Sequence, residues 1–563
     1  MGKPDVTWPE GRLLPRGGSR SGAGGFRGEA RGVAALFPLS RLLSRALARG
    51  TARASAWASA LCLLSLLLAP AAAARAAELK VGGEFQVYQN MNTNWTLQSS
   101  RQRDEYADGN TVDQRLRLAF EFAAREDLKA VMELQMGSNS WGQGSLGLGQ
   151  SDARPGGTFA PMVRQLSIDT VIPGTPLSLK AGYMDFVLAS GFAGSPVLED
   201  SSVGAVVFTL PMAGEDLAAT FGYLRLWDTF NATAGAAGRT PPRDCHLDGA
   251  FLTLPLALGE GVRITPYTLF TWGGRASLSA AMHLSSGNGD AGRVQGLLSP
   301  GLEVEEGNGG HVFEGSFTAW WAGLAAKADL GQGFWLAGDL IHGRMSQAWQ
   351  VNERRGWFAD LAAGVKGVEF AGATLDPMVF LAWSSGEDGR TSNGSERMPV
   401  LDNYFSVGSF YFTGSAFGNG DMGNQNDQIG FWTAGVSLKH ISWFEGLSHD
   451  VHVLYIRGTN SHKLLSEPGL PAIRQWDGDF AYAMGSKGGF LTDRDGLWEM
   501  DLNTEYKVAE GLRAILELGW IRQYLDRDTW NGYYARGGAP SSASPRFLGV
   551  DATKVVCGLI YEF

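Results

Sequence analysis

Cysteine is nearly absent: three occur in 563 residues, too few for a disulfide framework. Cys62 lies in the N-terminal segment, Cys245 in an expected loop and Cys557 near the end of the last expected strand, so no bridge is expected between the latter two. Histidine is also scarce. The eight present stand in no G-x-S-x-G or H-E-x-x-H setting, so the sequence offers no nucleophile paired with a base and no zinc-protease ligand pair. No enzyme, cofactor or resident metal is expected. His449 and His452 are three positions apart, on opposite faces of a strand, and cannot share an ion. Beyond residue 77 there is no run of 18 apolar residues, which excludes a transmembrane helix and leaves only strands as a means of crossing a bilayer. Basic charge is lacking too: the chain is net −10, and nucleic acid is an improbable partner.

What is present begins at the N-terminus. Residues 54 to 77 read ASAWASALCLLSLLLAPAAAARAA, preceded by Arg41, Arg45, Arg49 and Arg53, in the basic, apolar, small-residue order of a secretory signal. Leu61 to Ala69 is too short for a membrane-spanning helix of ~20 residues, and Leu61 before Cys62 does not suit a lipoprotein. Cleavage is expected near Ala77 and Glu78. The Gly- and Arg-rich residues 1 to 40 fit no part of a signal and suggest a translation start assigned too far upstream. Residues 1–77, taken together as extension and signal, hold 11 Lys or Arg against 3 Asp or Glu, and their removal leaves residues 78–563 at net −18.

From Leu79 onward, period-two apolarity recurs in short stretches such as RLRLAFEF (115 to 122), LKAVMELQM (128 to 136), VRITPYTLFTW (262 to 272), WEMDLNTEY (498 to 506) and LRAILELGW (512 to 520), whereas helical periodicity is hard to find. Tight connections at 125, 173, 212, 259, 331, 371 and 509 alternate with long polar ones, up to the 43 residues of 385 to 427. Short turns at one end and long loops at the other predict an all-β, transmembrane antiparallel barrel of about 18 strands, 16 being possible, with both ends on the periplasmic side. A soluble propeller would repeat one motif per blade, and no fixed period is seen. The terminal VVCGLIYEF places Val555, Cys557, Leu559, Tyr561 and Phe563 on one face, suited to lipid, but Val556 and Ile560 spoil the polarity of the other. Aromatics near strand ends (Trp272, Trp320, Trp321, Trp383, Trp432, Trp498, Trp520, Tyr561) suit interfacial girdles.

If the apolar positions face lipid, Arg115, Arg117, Glu121, Lys129, Glu133, Gln135, Asp169, Lys180, Arg263, Glu499, Asp501, Asn503, Glu505, Arg513 and Glu517 point inward. A charged interior implies water and hence a channel. Early strands supply mostly cations and late strands mostly carboxylates, so a transverse field is one reading and local pairing the other. The segments GNGDMGNQND (418 to 427) and DRDTWNG (526 to 532) carry oxygen ligands without EF-hand spacing and read as solvated loop. Tyr267 and Phe380 are too sparse for an aromatic sugar ladder.

LKAVMELQMGSNSWGQGSLG (128 to 147), VIPGTPLSLKAGYMDFVLASG (171 to 191), GSPVLEDSSVGAVV (194 to 207) and LRLWDTF (224 to 230), with the final Phe563, resemble the outer-membrane homotrimeric porins of sulfate-reducing bacteria. The resemblance is clearest over residues 79 to 230. It implies a passive channel for small hydrophilic solutes and ions in the Gram-negative outer membrane, assembled as a homotrimer, with Tyr561 and Phe563 read by the barrel insertion machinery. A substrate-selective, sugar-type channel is the alternative, and an adhesin or structural barrel a third. GSPVLED (194 to 200) also looks like the inward-folded third loop of general porins, which would set Glu199 and Asp200 opposite some of Arg115, Arg117, Lys129 and Lys180, a place at the rim being the alternative for so short a loop. With Glu499, Asp501, Glu505 and Glu517, those carboxylates would give a modest cation preference. The Gly- and Ala-rich WWAGLAAKADL (320 to 330) is expected at subunit contacts.

Overall fold

The computed structural model describes residues 78–94, 109–141, 161–212, 217–228, 246–274, 316–347, 353–390, 392–401, 404–412, 414–418, 430–466, 491–535 and 550–563, with a small hairpin of 305–307 and 310–312 and two isolated positions. The signal and extension at 1–77, Cys62, Cys245 and nearly all of the 418–427 segment lie outside these residues. Each expected apolar alternation becomes a strand: β1 Glu78–Thr93, β2 Gly109–Arg125, β3 Leu128–Ser140, β4 Met162–Val171, β5 Ser178–Val187 and β6 Glu199–Pro211. β7 Ala218–Asp228, β8 His246–Thr253, β9 Val262–Gly273, β10 Phe317–Gly331, β11 Phe334–Ser346 and β12 Arg354–Val365 follow. β13 Ala373–Ser384, β14 Phe431–Ser442, β15 Leu447–Gly458, β16 Gly496–Ala509, β17 Leu512–Tyr524 and β18 Val550–Glu562 complete the sheet.

Every strand pairs antiparallel with its neighbours in sequence, and β1 pairs with β18, Glu84 opposite Glu562 and Asn92 opposite Lys554, so the eighteen strands close into a barrel. Two strands are interrupted. β8 resumes as Leu256–Ala257 after Pro255, which has no N–H for the ladder, and β12 resumes as Val368–Phe370. Connections alternate as expected, Glu126–Asp127 and Gln332–Gly333 being typical short turns. Gly511, at φ 73°, makes the last of these possible in a conformation that costs a side-chain-bearing residue about 1–2 kcal/mol. Both termini of the barrel lie at the short-turn end.

The outer face is apolar. Leu79, Val81, Phe122, Leu166, Ile168, Leu340, Leu361, Val379, Met500 and Leu516 are all exposed, an area far beyond what soluble proteins leave uncovered. Aromatics bound this surface at both ends, Trp272, Trp357, Trp383 and Trp498 at the long-loop end and Phe334, Phe370, Trp443, Tyr506, Tyr561 and Phe563 at the other. Trp498 to Tyr506 spans about 27 Å of strand at ~3.4 Å per residue, which a tilt of ~40° reduces to about 20 Å along the barrel axis, comparable with the ~25 Å apolar band of outer-membrane barrels. Trp321 departs from the girdle expected of it. It is the neighbour of outward Trp320 and therefore faces inward, where it is fully buried and its Nε1 donates to the Pro399 carbonyl at 2.6 Å. The 320–330 stretch likewise alternates Trp320, Leu324 and Leu330 with Ala322, Ala326 and Ala328 outward, so it is not the flat small-residue surface expected of a subunit contact.

Candidate functional site

Two segments leave the wall and enter the lumen. The first, residues 188–198 between β5 and β6, reaches the far wall, where Asp339 of β11 accepts from the Gly191 amide at 2.8 Å, from the Phe192 amide at 3.1 Å and from Ser190 Oγ at 3.1 Å. Gly191 is required for this approach, since a Cβ there would stand 2.3 Å from the Gly338 carbonyl oxygen and 2.6 Å from that of Ala326. The second runs from Ser385 to Gly418 within the β13–β14 connection. Its residues 396–401 lie along β10–β12, Arg354 donating to the Met398 carbonyl at 2.8 Å, and residues 404–418 then cross to β15–β18. The two segments join: Leu401 N donates to Val197 O at 3.0 Å, Tyr404 N to Ser195 O at 2.8 Å and Ser406 N to Ala193 O at 2.8 Å.

The second segment explains the carboxylates of the late strands. Ser409 N donates to Asp501 Oδ2 at 2.8 Å, Phe410 N to Glu499 Oε1 at 3.1 Å, and Ala416 N to Glu517 Oε1 at 2.6 Å. Lys554 Nζ meets Glu517 Oε2 at 2.9 Å and also donates to the Ser409 carbonyl. Glu499, Asp501 and Glu517 face inward, but all three are buried beneath residues 409–416 instead of lining open water. Phe417 stacks on Tyr88 with centroids 4.5 Å apart and packs on Ile515, Val556 and Ile560, which accounts for the apolar inner face of the last strand.

On the other side, β1 to β5, neither segment bonds to the charged groups of the wall among the described residues, and this is the open wall. Arg115 pairs with Glu84 at 3.1 Å, Arg164 with Glu133 at 3.1 Å, and Gln165 donates to Asp185 at 2.6 Å. Lys129 sits 3.4 Å from Glu121 and 4.0 Å from Asp169, which lies opposite Lys180 in register. Signs thus alternate from strand to strand. Arg117 differs, because its Nε donates to the neutral Gln135 at 3.1 Å and no carboxylate pairs with it among the described residues. Glu505 is placed apart from this wall, toward the short-turn end, where Arg513 bridges it at 2.8 Å to Glu562 at 2.7 Å. Glu199 turns back on its own segment, accepting from Ser195 N at 3.0 Å, in place of the expected position opposite the basic wall. The side chain of Asp200 lies outside the described residues.

Sequence reading missed Glu84, Arg164, Asp185 and Asp339, the pairing of Lys554 with Glu517, and the second inward segment. A signal existed for the last: SFYFTGSAF (409 to 417) carries four aromatics inside a presumed solvated loop, and Val556 and Ile560 needed a cover. Arg164 was hidden by a register shift in β4, between its pairing of Gln165 and that of Val163, which disturbs strict alternation. His452 faces inward, bonded to Ser437 at 2.8 Å, and His449 outward, bonded to Thr504 at 2.8 Å, and no cluster of metal-ligating side chains occurs among the described residues. The DRDTWNG stretch forms the start of a helix, Arg527–Ala535, whose preceding Asp526 accepts from Thr529 N at 3.0 Å as an N-cap.

No protein-family model and no curated protein matches the chain. Solved structures similar to it include Pseudomonas aeruginosa OpdO, at 12% identity and TM-score 0.45 over 86% of this chain and 97% of that one. Acinetobacter baumannii OccAB1 is 9% identical with TM-score 0.46 over 86% and 97%, and Pseudomonas aeruginosa OccK9 (OpdG) is 12% identical with TM-score 0.44 over 86% and 99%. At this distance the function has to be argued from the chain's own geometry.

Proposed function

We propose that this protein is an outer-membrane porin, a water-filled channel through which small hydrophilic solutes and ions diffuse passively. The observation that carries the reading is the half-filled lumen: inside a closed barrel with an apolar exterior, the two joined segments lie against the wall of β10–β18, while among the described residues neither is bonded to the charged groups of β1–β5. Lys129, Glu121 and Asp169 there are about a third exposed while the Arg115–Glu84 and Arg164–Glu133 pairs are more covered, and a charged inner face of this kind suits a water-filled passage. The narrowing by two segments instead of one favours, as a second reading, a substrate-selective channel. Reconstitution in planar bilayers decides: stepwise ohmic conductance supports the channel, and its absence from correctly folded protein rejects it. A conductance that falls as one class of solute saturates the pore favours the selective reading. Catalysis plays no part in this proposal.

The expected cation preference loses four of the residues that motivated it, because Glu499, Asp501 and Glu517 are bound to residues 409–416 and Glu199 to Ser195, while Glu505 stays accessible but paired with Arg513. The open wall alternates in sign, and only weak ion preference is proposed. A homotrimer is also proposed, on the family resemblance alone and with no face assigned to it. Sedimentation in detergent yielding solely monomers would reject it.

A further inference from the structure

On the outward face at the long-loop end, β11 and β12 present a block of four paired residues. Arg344 stands directly opposite Arg355, and His342 opposite Trp357, one step deeper. Trp320 of β10 pairs with Arg344 and completes the patch, its ring 5.2 Å from His342, which is 4.5 Å from the Trp357 ring. Like charges directly opposed in a ladder are unfavourable, so this pair needs a reason. Other outward arginines at that end have acceptors: Arg225 meets Asp248 and Arg522 meets Asp551, both at 2.8 Å, and Arg457 donates to the Asp493 carbonyl at 2.7 Å. Arg344 meets Glu353 at 3.2 Å through one terminal nitrogen, while its buried Nε has no partner among the described residues. Arg355 is exposed and has no side-chain acceptor among the described residues. Deeper on the same face, Leu340 and Leu361 are about half exposed and continue the apolar surface.

We propose that this patch seats the phosphate of an acylated, phosphorylated glycolipid of the outer leaflet, a proposal that rests on the outer-membrane reading above. Arg344 and Arg355 bracket the phosphate through their terminal nitrogens, and its charge removes their mutual repulsion and gives exposed Arg355 an acceptor. The Trp320, His342 and Trp357 rings lie beside the sugar, at the depth where aromatic side chains meet headgroups, and the acyl chains descend over Leu340 and Leu361. Glu353 opposes part of this field and is displaced from Arg344 or shares it. A free phosphate would use the arginines alone, whereas the rings and leucines below them fit only an amphiphile.

The test is native mass spectrometry of the whole barrel in non-ionic detergent, titrated with bis-phosphorylated lipid A and, separately, with its dephosphorylated form. Two charge-assisted contacts predict a preference of about tenfold or more for the phosphorylated form. The double variant Arg344→Gln/Arg355→Gln should lose that preference, and Arg522→Gln, whose partner is Asp551, should keep it. Equal binding of the two lipids, an unaffected double variant, or displacement by inorganic phosphate at the lipid's own concentration would each overturn the proposal. Bilayer conductance of the same samples separates the two readings: a silent pore that still prefers the phosphorylated lipid refutes the channel and not the lipid site.

Discussion

Arg117 and Lys554 are both inward cations, and their partners give them opposite roles. Among the described residues Arg117 bonds neutral Gln135, beside Arg115 and Arg164, which each have a carboxylate partner, so its charge is less compensated than theirs. Arg117→Gln is expected to shift the reversal potential under a KCl gradient toward cations, by an amount that shrinks as the screening length falls from ~10 Å at 0.1 M to ~3 Å at 1 M. No shift at low salt would mean that ions pass elsewhere. Lys554, fully buried between Glu517 and the Ser409 carbonyl, holds structure instead. Its replacement in Lys554→Met leaves Glu517 charged without a cation, at a cost of about 3–5 kcal/mol. Denaturant unfolding in detergent should show that loss, and the added Glu517→Gln should restore part of it. An unchanged unfolding midpoint would count against the buried pair.

Among the elements, the 404–418 segment decides how much lumen is left. Its hold on the wall is polar at Glu499, Asp501 and Glu517 and apolar at Phe417, and its hold on the 188–198 segment is two backbone hydrogen bonds, from Tyr404 and Ser406. Replacing residues 404–418 by a short Gly-Ser linker is expected to raise single-channel conductance several-fold and to add open-channel noise, since 188–198 would keep its Asp339 anchor and the Leu401–Val197 bond but lose those to Tyr404 and Ser406. Conductance at the native level would place the narrowest section elsewhere. The last strand is the other decisive element. Phe563 N donates to Gly83 O at 3.1 Å and Gly83 N to Phe563 O at 2.9 Å, so the final residue closes the seam as well as carrying the proposed assembly signal with Tyr561. Phe563→Ser is expected to lower the amount of folded barrel in the outer membrane while export continues, read as heat-modifiable protein in membrane fractions. Normal levels would refute that role.

At the scale of the whole molecule, the barrel was legible because each strand writes its two environments in alternate residues: Val555, Cys557, Leu559 and Tyr561 face outward with Lys554, Val556, Gly558 and Ile560 behind them, as period two requires. A strand count of about eighteen and the alternation of short and long connections were legible in the same way, and so was the inward direction of Arg115, Lys129, Glu133, Glu499 and Asp501, whereas the closing bonds between Phe563 and Gly83 were not. Facing inward is a property of one strand; being wet is not. Glu499 and Asp501 share their register face with Asn503 and Glu505, yet the first two are sealed and Glu505 is accessible, because residues 409–412, far away in sequence, come down on one end of β16 only. Where a loop lands depends on contacts between residues about a hundred positions apart, which leave no period in the sequence. Alternation along each strand therefore determined the wall, and only the tertiary structure decided which part of that wall is lumen.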